Sequence, residues 1–472
     1  MYNTNMSKSA KTAYELACER IIAPRYKKEV SQENKPRFDF VEIPEFSNRE
    51  DKVIESNETK LIENPKEAKF KKEEQMDSIR IQEPETIHTN NLLEVHWNGS
   101  FLDYGGFARM NRTMVFGLSN RNVKVKIDME PYLVHVNQST QEQLRAMTNT
   151  NISPDAPKVY GVTVPMNISH SGRKIAYTMI ETSEKVHKDY SEKLNLMDEI
   201  WVATEYGKKI LKKSNVHPPI YVMPLGVDTF RYKPSNEFMS FGKSIRSFKF
   251  LSVFRWSYRK GFDILIKAFL EEFSSDDDVS LILVSRNLDR LEEAGPQKIL
   301  EDFGDIKSTI NNKPEDKMPH IALYTQPIHE KDMPKVYNSS DAFVLISRGE
   351  GFGLTVLEAA SCGIPVISSN CSGHMDFLSQ DNSSLVEPDG YIEAKVAGNM
   401  SRMAKLCHFY EGQVFPDFSS TGISQTREKM RFVFENHKLA KEKNKKLQKL
   451  INDKYTWEIA VDRVYNRIAE IS

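Results

Sequence analysis

The stretch Ser347–Ile367, SRGEGFGLTVLEAASCGIPVI, decides how this chain folds. It continues the apolar run DAFVLI (341–346), which reads as a buried strand. Gly349, Gly351 and Gly353 then make a turn, a helix opens near Leu354 or Thr355, and PVISS (365–369) is the next strand. Strand, glycine turn, helix and strand form the repeating unit of a parallel α/β sheet. The turn sets backbone N–H groups and a helix N-terminus at the carboxyl end of a strand, where they attract an anion, phosphate being the obvious one. Two carboxylates accompany them, Glu350 in the turn and Glu358 in the helix. A phosphate repels both, whereas hydroxyls suit an ionised carboxylate, which only accepts hydrogen bonds. Phosphates flanked on both sides by polyols describe a nucleotide sugar. The competing reading is a strand–helix turn whose glutamates cap or pair locally.

The same alternation extends to either side. Downstream of 248 the order is strand FKFLSVFRW, helix GFDILIKAFLEEF, strand VSLILVS, a helical stretch around 288–303, strand HIALYT, helix KDMPKVYNSS and then the deciding segment. Upstream, Leu92–Trp97, Val123–Ile127, Lys174–Ile180, Glu199–Thr204 and Ile220–Asp228 read as short strands between polar helical segments. The polar stretch Phe230–Ser247 reads as a connection between two α/β domains, and 425–472 as helical with a lysine-rich, solvated middle. The expected architecture is two Rossmann-like doubly wound domains facing a cleft, at 91–230 and 248–455. A last helix, 456–472, is expected to pack back towards the first domain. Residues 1–90 form a charged N-terminal extension. Ala10, Ala13, Tyr14, Ala17 and Ile21 give 1–30 a helical pattern that ends at Pro24. Residues 31–90 hold 10 Lys+Arg and 15 Asp+Glu with scattered prolines, so they read as linker or disorder, or as a docking arm.

Composition narrows the classes. The chain has 472 residues, 65 Lys+Arg against 66 Asp+Glu and a formal net charge of −1, which argues against a nucleic-acid coat. No run of about 18 apolar residues occurs, so no transmembrane helix is expected. The first twenty residues lack the apolar core of a secretory signal. Cys18, Cys362, Cys371 and Cys407 share no metal-ligand spacing, and the expectation is a reduced, cytoplasmic protein. The one Asp-x-Asp pair, Asp276 and Asp278, precedes a strand and should lie away from the cleft, so no metal and no cofactor is expected.

A second segment, SVFRWSYRKGFDILIKAF (252–269), places Arg255 and Lys260 at a strand end and its turn, where two cations can neutralise a diphosphate. Taken with the E-x7-E spacing of Glu350 and Glu358, the chain from about Asn91 resembles family 4 of the retaining glycosyltransferases, which have the GT-B fold. EGFGLTVLEAASCGIPVISSN is similar to that family's donor site, and Arg255 and Lys260–Gly261 to its strand-end Arg and Lys-Gly. PLGVDTF (224–230), SGHMDFL (372–378) and YTWEIAVDRVYNRI (455–468) also resemble family segments.

The resemblance implies that Glu358 binds ribose hydroxyls and that Arg255 and Lys260 hold the diphosphate of a nucleotide diphosphate sugar donor. Gly351, Phe352, Gly353, Leu354 and Thr355 would contact sugar and phosphates, and Glu350 would hold hydroxyls of the transferred sugar and support charge at its anomeric carbon. It implies a retaining transfer of a hexose or N-acetylhexosamine to an acceptor hydroxyl on a glycan, a lipid-linked acceptor or a protein, in bacterial polysaccharide or glycoconjugate synthesis. The alternatives are a non-catalytic nucleotide-sugar-binding partner and another GT-B enzyme such as an epimerase.

In the first domain, WNGSFLDYGGFARMNR (97–112) carries Gly105 and Gly106, similar to the family's glycine loop facing donor and acceptor. Where relatives place a histidine after a strand, RKIAYTMIE ends in Glu181 with His170 before it; both are candidates. Phe254 and Trp256 flank Arg255 where relatives often have Gly and Leu. Lys208, Lys209, Lys212 and Lys213 read as a solvated helix face, or as a peripheral contact with an anionic inner membrane face.

Overall fold

The computed structural model describes residues 39–40, 92–129, 136–286, 295–311, 313–325, 328–394 and 408–472. After β1 (Asp39–Phe40), one sheet is built from β2 (Glu94–Gly99), β3 (Lys124–Met129), β4 (Lys158–Gly161), β5 (Lys174–Thr178), β6 (Glu199–Val202) and β7 (Ile220–Val222). Its order is β3-β2-β4-β5-β6-β7, parallel throughout. The second sheet takes β8 (Phe248–Arg255), β9 (Val279–Arg286), β10 (His320–Tyr324), β11 (Ala342–Leu345), β12 (Val366–Ser369) and β13 (Ser384–Val386). Its order is β1-β10-β9-β8-β11-β12-β13, again parallel. An antiparallel pair, β14 (Gly390–Glu393) and β15 (Val414–Asp417), stands outside both sheets.

Helices cross over between strands: α1 (Gly106–Ser119), α2 (Gln138–Thr148), α3 (Lys188–Leu194) and α4 (Glu205–Lys213) in the first domain, then α5 (Phe262–Glu272), α6 (Gly295–Ser308), α7 (Met333–Asn338) and α8 (Leu354–Ser361) in the second. Three more, α9 (Thr421–Glu435), α10 (His437–Lys454) and α11 (Trp457–Ile471), end the chain. Strands covered on both faces have no polar side to show, so they read as continuous apolar runs. Phe250, Leu251, Ile282, Phe343 and Val344 are all fully buried. Each such side chain contributes about 1.5–3 kcal/mol on burial.

Strand order places the cleft. It reverses between β8 and β11 in one sheet and between β2 and β4 in the other. Ligands of open α/β sheets bind at such reversals, outside the strand carboxyl ends. The loop after β8 carries Lys260, the loop after β11 carries the glycine turn, and the loop after β2 carries Gly105. The last helix returns to the first domain. Gly117 of α1 leaves room for Val461, since a Cβ there would stand 2.6 Å from its Cγ2. Arg121 pairs with Asp462 at 2.6 Å, and Arg467 reaches the buried Glu199 of β6 at 2.6 Å. A bridge between Val227 and Thr456 marks where the chain crosses between domains on each pass.

Several elements differ from the sequence reading. Asp39–Phe40, expected to be linker or disorder, pairs in parallel with Ala322 and Leu323 at the edge of the second sheet. The helix expected within 1–30, and the rest of 31–90, lie outside the described residues. The strand KVYG (158–161) and the short β13 were not expected, because runs this short give no periodicity to read.

Candidate active site

The glycine turn is shaped by what crowds it. Gly353 has φ +101°, a left-handed value that favours glycine, and from it α8 departs. A Cβ on Gly351 would stand 2.6 Å from the Cβ of Met179, and one on Gly349 would run into the carbonyl of Glu181. The segment after β5 of the first domain therefore lies directly on the turn of the second. A Cβ on Gly106, at the start of α1, would stand 3.9 Å from Leu354 Cδ1. The two glycine loops thus meet across the cleft.

Glu350 is 6 % exposed. Its Oε1 accepts from Lys260 Nζ at 2.6 Å and lies 3.8 Å from Arg259. Its backbone N–H donates to Ser372 Oγ at 2.9 Å, which fixes the turn. Burial alone would push the carboxyl up, but Lys260, Arg259 and hydrogen bonds from Lys260 and Ser347 overcome it and hold the group at about 2. The two cations thus favour the ionised form of Glu350. Arg259 also pairs with Glu181 at 3.0 Å and donates to the Gly349 carbonyl. Tyr410 donates to Glu181 at 2.7 Å, so this carboxylate belongs to the cleft and couples the two domains.

Glu358, one turn into α8, is 2 % exposed. Its Oε1 is paired with Arg109 of α1 and its Oε2 accepts from the Tyr337 hydroxyl at 2.7 Å. Arg109 in turn contacts Glu330 at 3.3 Å and donates to Tyr232 at 3.2 Å. Arg231 lies 3.5 Å from Glu330, and Arg112 lies 3.7 Å from the same carboxylate. Arg112 also donates to the carbonyls of Phe101 and Asp103, each at 2.7 Å, holding the loop whose Asp103 Oδ1 receives the Gly105 N–H.

The structure thus brings together Glu350, Lys260, Glu358, Gly349–Thr355, Gly105, Gly106 and Glu181. It separates others. His170 is 2.7 Å from the Ala156 carbonyl, and both residues precede their strands, so it sits at the amino end of the sheet, away from the cleft. The side chain of Phe352 is buried against Phe377 and Tyr455, leaving only its backbone in the turn. Arg255 ends β8 half-buried, and the guanidinium drawn to Glu350 is that of Arg259. Asp276 pairs with Lys317 and Asp278 accepts from Ser247, both before β9 at the amino end. Lys208, Lys209, Lys212 and Lys213 line a shallow groove on α4 with Glu205. Sequence reasoning missed Arg259, Arg109 and Tyr337. Arg259 stands beside the noted Lys260 and Arg109 follows the noted glycine pair, whereas nothing local marks Tyr337.

Two facing Rossmann-like domains with this turn at the strand-order reversal define the GT-B architecture. Solved structures agree. The sucrose-phosphate synthase of Thermosynechococcus elongatus superposes with TM-score 0.55 at 14% identity, covering 80% of this chain and 100% of that one. HepE of Anabaena, solved with UDP and glucose, gives TM-score 0.55 at 11% identity over 80% of this chain and 100% of its own. Residues 247–405 match the family model Glycosyl transferases group 1. Residues 247–405 are thus similar to group 1 glycosyltransferases, and the fold is GT-B.

Among curated relatives, the GDP-mannose-dependent monoacylated alpha-(1-6)-phosphatidylinositol monomannoside mannosyltransferase of Corynebacterium glutamicum is 23% identical over 329 residues, 66% of this chain and 79% of that one. The D-inositol 3-phosphate glycosyltransferase of Paenarthrobacter aurescens is 28% identical over 174 residues, 35% of this chain and 39% of its own length.

Proposed function

We propose that the chain is a retaining glycosyltransferase that moves a hexose or N-acetylhexosamine from a nucleotide diphosphate sugar to an acceptor hydroxyl. The observation that carries this reading is the convergence of Glu350, Lys260, Arg259 and Glu358 on one glycine turn at the strand-order reversal. Glu358 is the ribose anchor, and Lys260 and Arg259, with Arg255 at the strand end, neutralise the diphosphate as it leaves. On this reading the cations take the place of a metal ion.

A carboxyl held at about 2 is neither a proton donor nor an effective base, which leaves Glu350 to accept hydroxyls of the transferred sugar and stabilise positive charge at its anomeric carbon. With no protein base assigned, a leaving-group phosphate oxygen takes the acceptor proton on the same face, and the configuration is retained. The protein then contributes positioning and electrostatics. The acceptor is a glycan, a lipid-linked saccharide or a protein, and bacterial polysaccharide or glycoconjugate synthesis at the cytoplasmic side of the membrane is the proposed setting. The lysines of α4 suit an anionic surface, and among the described residues no helix is long and apolar enough to cross a membrane.

The test is steady-state kinetics of donor turnover with an acceptor panel. Glu358→Ala should raise the donor KM, and Glu350→Ala should mainly lower kcat. Unchanged kinetics in both variants would sink the assignment.

A further inference from the structure

Arg348 lies inside the glycine segment, two residues before Glu350, yet no part of it reaches solvent. A fully buried guanidinium is costly unless it is paired, and this one is paired through NH1 and NH2 while its Nε has no hydrogen-bond partner. Here NH1 and NH2 meet the two oxygens of Asp263, each at 2.7 Å, in the forked geometry only arginine offers. NH1 also donates to the Tyr258 carbonyl at 2.8 Å, and the guanidinium carbon stacks 3.9 Å from the Tyr258 ring centre. The Arg348 backbone N–H donates to the Arg259 carbonyl at 2.7 Å, and Ser347 Oγ donates to the same oxygen at 3.2 Å.

All of these contacts fall on one short piece of chain. Tyr258–Lys260 is a single helical turn, Asp263 lies in the first turn of α5, and Gly261 joins them with φ +66°. A Cβ on Gly261 would run into the Ile346 carbonyl, so the turn is pressed against the end of β11. Arg348 therefore fastens the turn that presents Arg259 and Lys260 to the turn that presents Glu350. None of these bonds reaches across the cleft to the first domain.

We infer that Arg348, with Asp263 and Tyr258, is a positioning residue that sets Arg259 and Lys260 at the place of the donor's diphosphate. The inference rests on the donor reading above. It separates two parts of that ligand, because the ribose anchor Glu358 is held by Arg109 and Tyr337, which Arg348 does not touch. Loosening the clasp should weaken binding of the second phosphate and spare the nucleoside.

The experiment is isothermal titration of the full chain with UDP and UMP, GDP and GMP, and ADP and AMP. Wild type is compared with Arg348→Lys, Arg348→Met and Asp263→Asn, and unfolded preparations are excluded by circular dichroism. The expected result is a diphosphate Kd raised about tenfold, the monophosphate Kd held within about twofold, and Arg348→Lys impaired because it keeps charge but loses the fork. Should Arg348→Met fail to fold, Asp263→Asn carries the same expectation. An unchanged diphosphate-to-monophosphate ratio in the folded variants, or wild-type behaviour of Arg348→Lys, overturns the positioning role. A wild type that binds no nucleotide, or shows no preference for diphosphates, overturns the donor reading itself and the inference with it.

Discussion

Replacing Glu350 by glutamine should change how stability depends on pH, by an amount the site fixes in advance. The folded carboxyl sits at about 2, against an ordinary value of 4.5. A depressed carboxyl contributes stability that is fully present above the unfolded pKa and lost as pH falls through the folded one. Between these values lies about 3 kcal/mol, in place at pH 6. About 1 kcal/mol of it is gone by pH 4 and about 2 kcal/mol by pH 3. Glutamine has the same shape and does not titrate, so the variant lacks this component at every pH. It also leaves the Lys260 ammonium without its carboxylate at 2.6 Å, a penalty that stays constant across this range because lysine remains protonated. The wild-type advantage in melting temperature should therefore shrink on acidification. At about 2–4 °C per kcal/mol for a cooperative unit of 150–250 residues, the gap narrows by about 4–8 °C from pH 6 to pH 3. Melts of both proteins at pH 6, 5, 4 and 3, at one ionic strength and scan rate, measure it. A gap that does not move with pH would refute the depressed carboxyl, and a widening gap would show the carboxyl raised. Either would also remove the reason for excluding Glu350 as a proton carrier.

Other perturbations separate the two ends of the cleft. Arg109→Gln frees one oxygen of the buried Glu358, so nucleoside diphosphate affinity should tighten by at least about fivefold in titration calorimetry; weaker binding would mean that Arg109 itself touches the donor. Glu199→Gln strips the carboxylate from Arg467 and from the Trp201 indole, 2.7 Å away. It should cost about 3 kcal/mol in urea unfolding while leaving nucleotide affinity intact, since this pair only ties α11 to the first sheet. A loss of nucleotide affinity in that variant would tie the C-terminal helix to cleft geometry.

How much was legible in the sequence follows from which interactions are local. Phe248–Arg255, Val279–Arg286 and Ala342–Leu345 announce themselves because a strand buried on both faces is mainly apolar through its centre. Gly353 and Gly261 are visible because their backbone conformations ask for glycine. Lys158–Gly161 and Ser384–Val386 are hidden, since their strand character comes from neighbours in the sheet. The pairing of the charges is equally nonlocal. Lys260 and Glu350 are ninety positions apart, Arg109 and Glu358 far more, and no spacing rule joins a residue of one domain to a residue of the other. His170 shows the opposite failure: it lies near the right strand in sequence, but a parallel strand has two ends, and it falls at the wrong one.

The two readings of the glutamates in the deciding stretch, hydroxyl binding and local pairing, are compatible for a physical reason. Glu350 and Glu181 stand with Lys260 and Arg259, two negative groups against two positive ones, and Glu358 stands with Arg109. Unpaired, the buried Glu350 and Glu358 would each cost several kcal/mol. On the proposed reading the donor offers each side a replacement partner, phosphate oxygens for the cations and hydroxyls for the carboxylates. Binding then exchanges partners without leaving a charge alone in the protein. A ligand with phosphate only would satisfy the cations and strand Glu350 and Glu358, and a free sugar would do the reverse. Selectivity for a molecule that carries both follows from the pairing itself.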